Sequence, residues 1–153
     1  MVGFFLLLFE MKRLVLVFIA FMLSVVCYAQ TIYIEITGVR SNVGQLLLGV
    51  YTNQKQYETK EAILKKTVYK HDLVNGTVTA KIEGLPPGTY GIALMDDEDM
   101  DRKMAFRFFL PAEGFAFSNY YHTRYSKPLF DDFKFTLGDK DEIVVMKLRY
   151  LYD

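Results

Sequence analysis

Cysteine is nearly absent from this chain: Cys27 is the single copy, and it falls inside an apolar leader. The body of the protein therefore has no disulfide to staple it and must rely on a buried core. Histidine is scarce too, and His71 and His122 are too few and too far apart to propose a zinc site. Net charge is missing as well, since Lys+Arg and Asp+Glu both number 18. That balance gives no electrostatic reason to expect nucleic acid as a partner. Past the leader the chain has no apolar run long enough to span a bilayer, no internal repeat, no low-complexity tract and no linker to a second domain.

Grease is concentrated at the N-terminus. Met11-Lys12-Arg13 followed by apolar residues 14–26 has the charged n-region and short h-region of a secretory signal, and Cys27-Tyr28-Ala29 offers a small residue before the cut. The reading is a signal peptide over residues 1–29, cleaved after Ala29, and a single domain over residues 30–153. Residues 1–10 lie upstream of the basic pair, so Met11 is a candidate natural start. An uncleaved anchor is disfavoured because Glu10, Lys12 and Arg13 interrupt the run where charge is costly. A lipidated Cys27 is disfavoured because Val26 stands where a small residue is needed. The expectation is export, to the periplasm, the outer membrane or beyond, with no stable membrane span after cleavage. A domain of this size buries roughly two thirds of its unfolded surface.

The body is organised around residues 82–101. Pro86 and Pro87 fix φ and donate no backbone hydrogen bond, so a β ladder must stop there, and Gly88 lets the chain reverse. Residues 89–95 then alternate, with Tyr90, Ile92 and Leu94 on one face and Gly91, Ala93 and Met95 on the other, a strand covered on both sides. Asp96, Asp97, Glu98, Asp99 and Asp101 follow as an acidic loop whose mutual repulsion calls for water, a basic neighbour or a cation.

Other strands read in the same way. Ile32, Ile34 and Ile36 alternate with Tyr33, Glu35 and Thr37, and Leu46, Leu48 and Val50 mark the inner face of a second strand. These two read as an antiparallel hairpin. A short helix is expected around residues 58–64. Asn75-Gly76 is the strongest hairpin signal, joining residues 67–72 to 76–82. Residues 103–110 read as either a strand or an irregular packed segment. Residues 114–128 read as a long ordered loop pinned by aromatics. The last strand, 142–150, sets Ile143, Val145, Lys147 and Arg149 against Val144, Met146, Leu148 and Tyr150. Seven or eight strands with one short helix predict an all-β fold, a single antiparallel β-sandwich.

Three ordered motifs, Gly84-Leu85-Pro86-Pro87-Gly88-Thr89-Tyr90, Pro111-Ala112-Glu113-Gly114-Phe115-Ala116-Phe117-Ser118-Asn119 and Pro128-Leu129-Phe130-Asp131-Asp132-Phe133-Lys134-Phe135, flank the acidic loop. Together they resemble an uncharacterised secreted bacterial family, domain of unknown function 2141. The resemblance implies a transthyretin-like or immunoglobulin-like sandwich in the periplasm or at the surface, and no established activity. The family's loop reads His-Asp-Glu-Asn-x-Asn-Gly-Lys-Leu-Asp, which is similar to a calcium loop with oxygens at alternate positions. Here Asp97, Asp99 and Asp101 keep those positions, while Asp96 replaces the histidine, Arg102 the turn glycine and Ala105 the closing aspartate. Calcium wants six to eight oxygens and a sharp turn to aim them. Calcium at Asp97, Asp99 and Asp101 is thus the one cofactor to weigh, against an acidic loop neutralised by Arg102, Lys103 and water.

Catalytic sets are weakly supported. Ser118, His122 and Asp131 lack the glycine pattern of a nucleophile elbow, and Ser118 and Asn119 read better as cappers of backbone groups. Asp97 and Asp99 are a carboxylate pair of the type glycan hydrolysis uses, but a loop is a poor place to fix their separation. The aromatic set divides: Phe115 and Phe117 read as anchors, while Tyr120, Tyr121 and Tyr125, with His122 among them, are candidate ligand contacts for a sugar, peptide or protein. The leading expectation is an exported, non-catalytic module that binds a partner at an acidic-loop and tyrosine-loop rim. A calcium-dependent envelope module and a hydrolase using the acidic loop are the alternatives.

Overall fold

The computed structural model describes residues 11–13, 15 and 30–152. Nearly all of the leader, with its cleavage site after Ala29, lies outside the described residues. Among those described, no helix is long and apolar enough to cross a membrane.

Two sheets enclose one core. The first contains β1 (Gln30–Thr37), β4 (Val78–Leu85) and β10 (Glu142–Lys147), in the order β10-β1-β4. The second contains β2 (Gln45–Tyr51), β3 (Leu64–Tyr69), β5 (Gly88–Asp97), β8 (Gly114–Phe117) and β9 (Lys134–Leu137). Its order is β3-β2-β5-β8, with β9 on the N-terminal half of β5 and β8 on the C-terminal half. A two-stranded hairpin, β6 (Phe106–Arg107) with β7 (Leu110–Pro111), stands apart. Among the described residues every pairing is antiparallel except β1 with β10, which run parallel from Ile32 opposite Glu142 to Thr37 opposite Lys147.

Alternation explains the core. Ile32, Ile34 and Ile36 with Val144 and Met146 face Leu46, Leu48 and Val50 with Ile92 and Leu94, all buried in one cluster. Burying each such side chain is worth roughly 1.5–3 kcal/mol. A second, aromatic cluster covers the other face of the larger sheet: Tyr51, Tyr57, Phe115, Phe117, Phe130 and Phe133. It is supplied by α1 (Gln54–Thr59), which contributes Tyr57, and α2 (Phe130–Phe133). β5 is covered on both sides, as its sequence predicts.

Four local expectations are corrected. β1 and β2 are not a hairpin; they lie in different sheets, because facing layers let their apolar faces pack on each other. Asn75-Gly76 does turn the chain, with φ of 51° and 74° and both backbone bonds between Val74 and Thr77. Its arms end there, however: residues Lys70–Asp72 form a 3-10 turn, and β3 pairs with β2 instead. The helix sits earlier than expected, since Asn53 caps its start through Gln56 N and Lys60, at φ 59°, stops it. Gly114–Phe117 is a strand rather than loop, because both faces of its Phe-Ala-Phe run are buried.

Candidate functional site

β5 runs two residues further than the sequence suggests, and this changes the acidic loop. Asp96 and Asp97 are paired to β2 opposite Leu46 and Gln45, and both are fully buried. Asp96 continues the inward face of Tyr90, Ile92 and Leu94, so a carboxylate occupies a core position. Such burial is tolerable only with a partner. The ammonium of Lys70, itself buried, is ion-paired with Asp96 and donates to the Val43 carbonyl at 2.6 Å. Tyr150 donates its hydroxyl to Asp96 Oδ2 at 2.5 Å. Burial first, then the bond to that carboxylate, pushes the Tyr150 phenol well above the ordinary range.

Glu98 is held outside this pair by Arg40, with bonds of 2.6 and 3.0 Å, and by Ser41 Oγ at 2.9 Å. The bond from Arg40 is the main reason its carboxyl sits below the usual range. Gly44, at φ 78°, lets the chain pass against this root: a Cβ there would meet Asp97 O at 2.2 Å. An open cleft of about 930 Å³, lined by Arg40, Ser41, Lys70 and His71 among others, lies beside the network.

Beyond this root the loop bonds to itself. Asp97 accepts from Gln45 Nε2 at 2.6 Å and from Arg102 N at 3.3 Å. Asp99 Oδ1 accepts from Asp101 N, and Asp101 Oδ1 from Lys103 N. One oxygen from each of Asp97, Asp99 and Asp101 lies within 4.8 Å of the others. Arg102 has φ 63°, so the backbone adopts the left-handed turn that a glycine would favour at that place. Glu113, the residue before β8, feels the charge of this group. Desolvation, with the charges of Asp97, Asp99 and Asp101 added, raises its carboxyl to about 7, against a bond from Ala105 N that pulls the other way.

The tyrosine loop leaves the opposite end of β8. Gly114 stands opposite Asp96 and Phe117 opposite Ala93, so the acidic and tyrosine loops are separated along β5 by the length of β8, roughly 10 Å at strand rise. Ser118 is fully buried, accepting from Ile92 N at 2.9 Å and donating to Phe133 O at 2.6 Å. Asn119 closes the edge of β10 by bonding Val145 through both its N–H and its Oδ1. His122 is buried among Phe115, Phe117 and Tyr120, and its Nε2 donates to Ser126 O at 2.5 Å. Arg149 donates to the carbonyls of His122 and Arg124.

Tyr120 is half-buried, whereas Tyr121 and Tyr125 are 47% and 72% exposed. Each exposed ring has a cation against it: Lys147 lies 5.1 Å from the Tyr121 centroid and Arg149 5.5 Å from that of Tyr125. Ser118 spends its hydrogen bonds on backbone, His122 bonds Ser126 O and, at 3.5 Å, the Tyr120 hydroxyl, and Asp131 is bound to Lys134.

Lys70, Tyr150, Arg40 and Glu113 were not singled out by sequence reasoning. Lys70 and Tyr150 come from segments distant in sequence, and only the sheet register brings them to Asp96. Glu113 had one available signal, its place in the second family-like motif. The model of a family described as uncharacterized protein conserved in bacteria (DUF2141) matches residues 34–145. Neither the curated proteins nor the solved structures yield a match.

Proposed function

The chain belongs to that bacterial family, and from this premise we propose that it is an exported, non-catalytic β-sandwich module that offers its tyrosine loop to a peptide or glycan partner. The observation that carries the reading is the pairing of open rings with a fixed base. Tyr121 and Tyr125 are exposed, yet the backbone beneath them is bonded through Asn119, His122 and Arg149. Little ordering entropy is left to lose on binding. Phenol rings held over cations supply a flat apolar face with a polar edge, the surface that stacks on a sugar or an extended peptide.

Calorimetric titration with panels of oligosaccharides and of extended peptides tests this. A ligand found for the native protein should bind Tyr121→Ala/Tyr125→Ala at least about tenfold more weakly, with the melting temperature unchanged. Equal binding by the variant, or heat from no member of either panel, removes the reading.

A calcium-ordered acidic loop is the second reading, favoured by Glu113. Three carboxylates with oxygens within 4.8 Å of one another, and a fourth, Glu113, that feels their charge, are oxygen ligands of the kind a hard cation takes, and the left-handed Arg102 provides the turn. Bound calcium would neutralise the carboxylate charge that adds to burial in raising Glu113. Calcium should therefore raise the melting temperature of the native chain and leave Asp99→Ala/Asp101→Ala unmoved. Its affinity should climb between about pH 6 and 8 as Glu113 gives up its proton. No heat and no thermal shift in excess calcium would remove this second reading.

A further inference from the structure

Two phenylalanines occupy the tip of the β6–β7 hairpin and a third lies one pair back in β6, and they are the most exposed aromatic group among the described residues: Phe106 is 62% exposed, Phe108 79% and Phe109 99%. Single exposed apolar side chains are ordinary, but a contiguous group of this kind marks an interaction site. The backbone adds a second observation. Arg107 pairs with Leu110, so Phe108 and Phe109 are the two central residues of the turn, at φ 48° and 66°. Left-handed φ at both positions is the primed turn that Asn-Gly fits and bulky side chains resist. Two phenylalanines here are therefore costly for folding and contribute nothing to either core. Strain of this sort is kept where it has a use.

The hairpin is also firmly held. Ala112 N donates to Ala105 O at 2.9 Å, and the Tyr152 hydroxyl to Arg107 O at 2.7 Å. The Arg107 guanidinium lies 5.4 Å from the Tyr152 ring and 5.7 Å from that of Phe108. Arg107, which flanks the turn, and Arg102 and Lys103, which precede the hairpin, are all exposed. The carboxylates of Asp99 and Asp101, the only acidic side chains in residues 99–110, are turned to backbone N–H groups of their own loop.

We propose that this hairpin docks the protein on an anionic lipid bilayer, with Phe108 and Phe109 entering the interface while Phe106, one pair back, and the cations Arg102, Lys103 and Arg107 remain at the headgroups. The layering matches the bilayer's own. Rings at a projecting tip reach the acyl boundary, and long cationic side chains behind them snorkel to lipid phosphates. A protein pocket is the competing occupant, and the exposed cations beside the rings are what favour lipid phosphate over it. Attraction to the cations makes the docking depend on anionic lipid and on salt.

The test uses residues 30–153, which contain every strand and both clusters found among the described residues, floated with vesicles of phosphatidylcholine alone or mixed with phosphatidylglycerol. The native protein should partition onto the mixed vesicles and leave them at high salt. Phe108→Asn/Phe109→Gly should lose about tenfold or more in partitioning, from the apolar area it no longer buries. The same variant should melt at a higher temperature, since it relieves the turn. That rise separates lost docking from lost folding. Arg107→Gln should weaken binding roughly fivefold, on the mixed vesicles only. Ile143→Thr, on the exposed face of β10, should bind as the native chain does. Failure of the native protein to float with either vesicle overturns the proposal, as does undiminished binding by the turn variant. Sedimentation showing a dimer that Phe108→Asn/Phe109→Gly converts to monomer also overturns it, assigning the tip to a second copy instead.

Discussion

The two ends of β8 hold their loops in different ways. At its C-terminal end, the tyrosine loop is fixed by bonds to segments far along the chain: Ser118 to Ile92 and Phe133, Asn119 to Val145, Arg149 to His122. At its N-terminal end, the outer part of the acidic loop is fixed by itself, Asp99 to residue 101, Asp101 to residue 103 and Asp97 to residue 102. Its root is tied to distant groups: Asp96 to Lys70 and Tyr150, Asp97 to Gln45, and Glu98 to Arg40 and Ser41. One loop thus takes its shape from packing, which is insensitive to solution conditions. The other takes its shape from charge, which is not. The same strand ends in a platform at one side and a charge-sensitive turn at the other.

Breaking the packed side has the largest expected effect. Phe133, 1% exposed, has ring centroids of Tyr57 and Phe117 at 4.9 and 5.1 Å. Phe133→Ala should cost about 3–5 kcal/mol, read from denaturant midpoints, and should release the amides of the tyrosine loop to hydrogen exchange while those of the acidic loop keep their protection. Equal loss at both ends would mean that the two are one cooperative unit. Breaking the charged side comes next. Lys70→Met strands a buried carboxylate at Asp96 and should cost about 3 kcal/mol or more. Removing both charges in Lys70→Met/Asp96→Leu should recover most of that, because the penalty is an unpaired charge rather than a missing attraction. A double variant as unstable as the single one would show that the pair is needed for its attraction.

The same contrast explains what the sequence makes legible. Alternation displays the inner faces of β1, β2, β5 and β10 directly, because period-two burial is a local property. The Leu-Pro-Pro-Gly turn is equally plain, since it follows from φ restriction alone. Which strands are neighbours is not local: Ile32 and Leu46 show the same pattern whether they share a sheet or face each other across the core, so the supposed hairpin of β1 and β2 fitted the sequence equally well. Asp96 is illegible for a related reason. Its burial depends on Lys70 and Tyr150 arriving from segments that only the register brings together. Within the tyrosine loop, composition marks Ser118 and Asn119 as cappers, and both bond backbone as read. His122 looks like a ligand contact in sequence and is found packed against Phe117 with its ring nitrogen given to Ser126. A polar ring among aromatics carries no sign of which way it faces.

The smallest effect sharpens the comparison most, because it is one of pH. Glu113 carries a folded-state pKa raised to about 7 from an ordinary 4.5, chiefly by burial and then by Asp97, Asp99 and Asp101. Between those two values the folded protein holds a proton that the unfolded chain has released. Stability must therefore fall as pH rises through this window, and above it the cost of a buried carboxylate is fully present. Glu113→Gln keeps an acceptor for Ala105 N and removes the titration. The variant should match the native protein near pH 4 and exceed it by on the order of 1–2 kcal/mol near pH 8, measured by urea unfolding across that range. Phe133→Ala, at the packed end, should displace the same curve downward without changing its slope. Parallel curves for Glu113→Gln and the native chain would mean that Glu113 ionises as an ordinary surface acid, and the charge-set character of the acidic end would be lost with it.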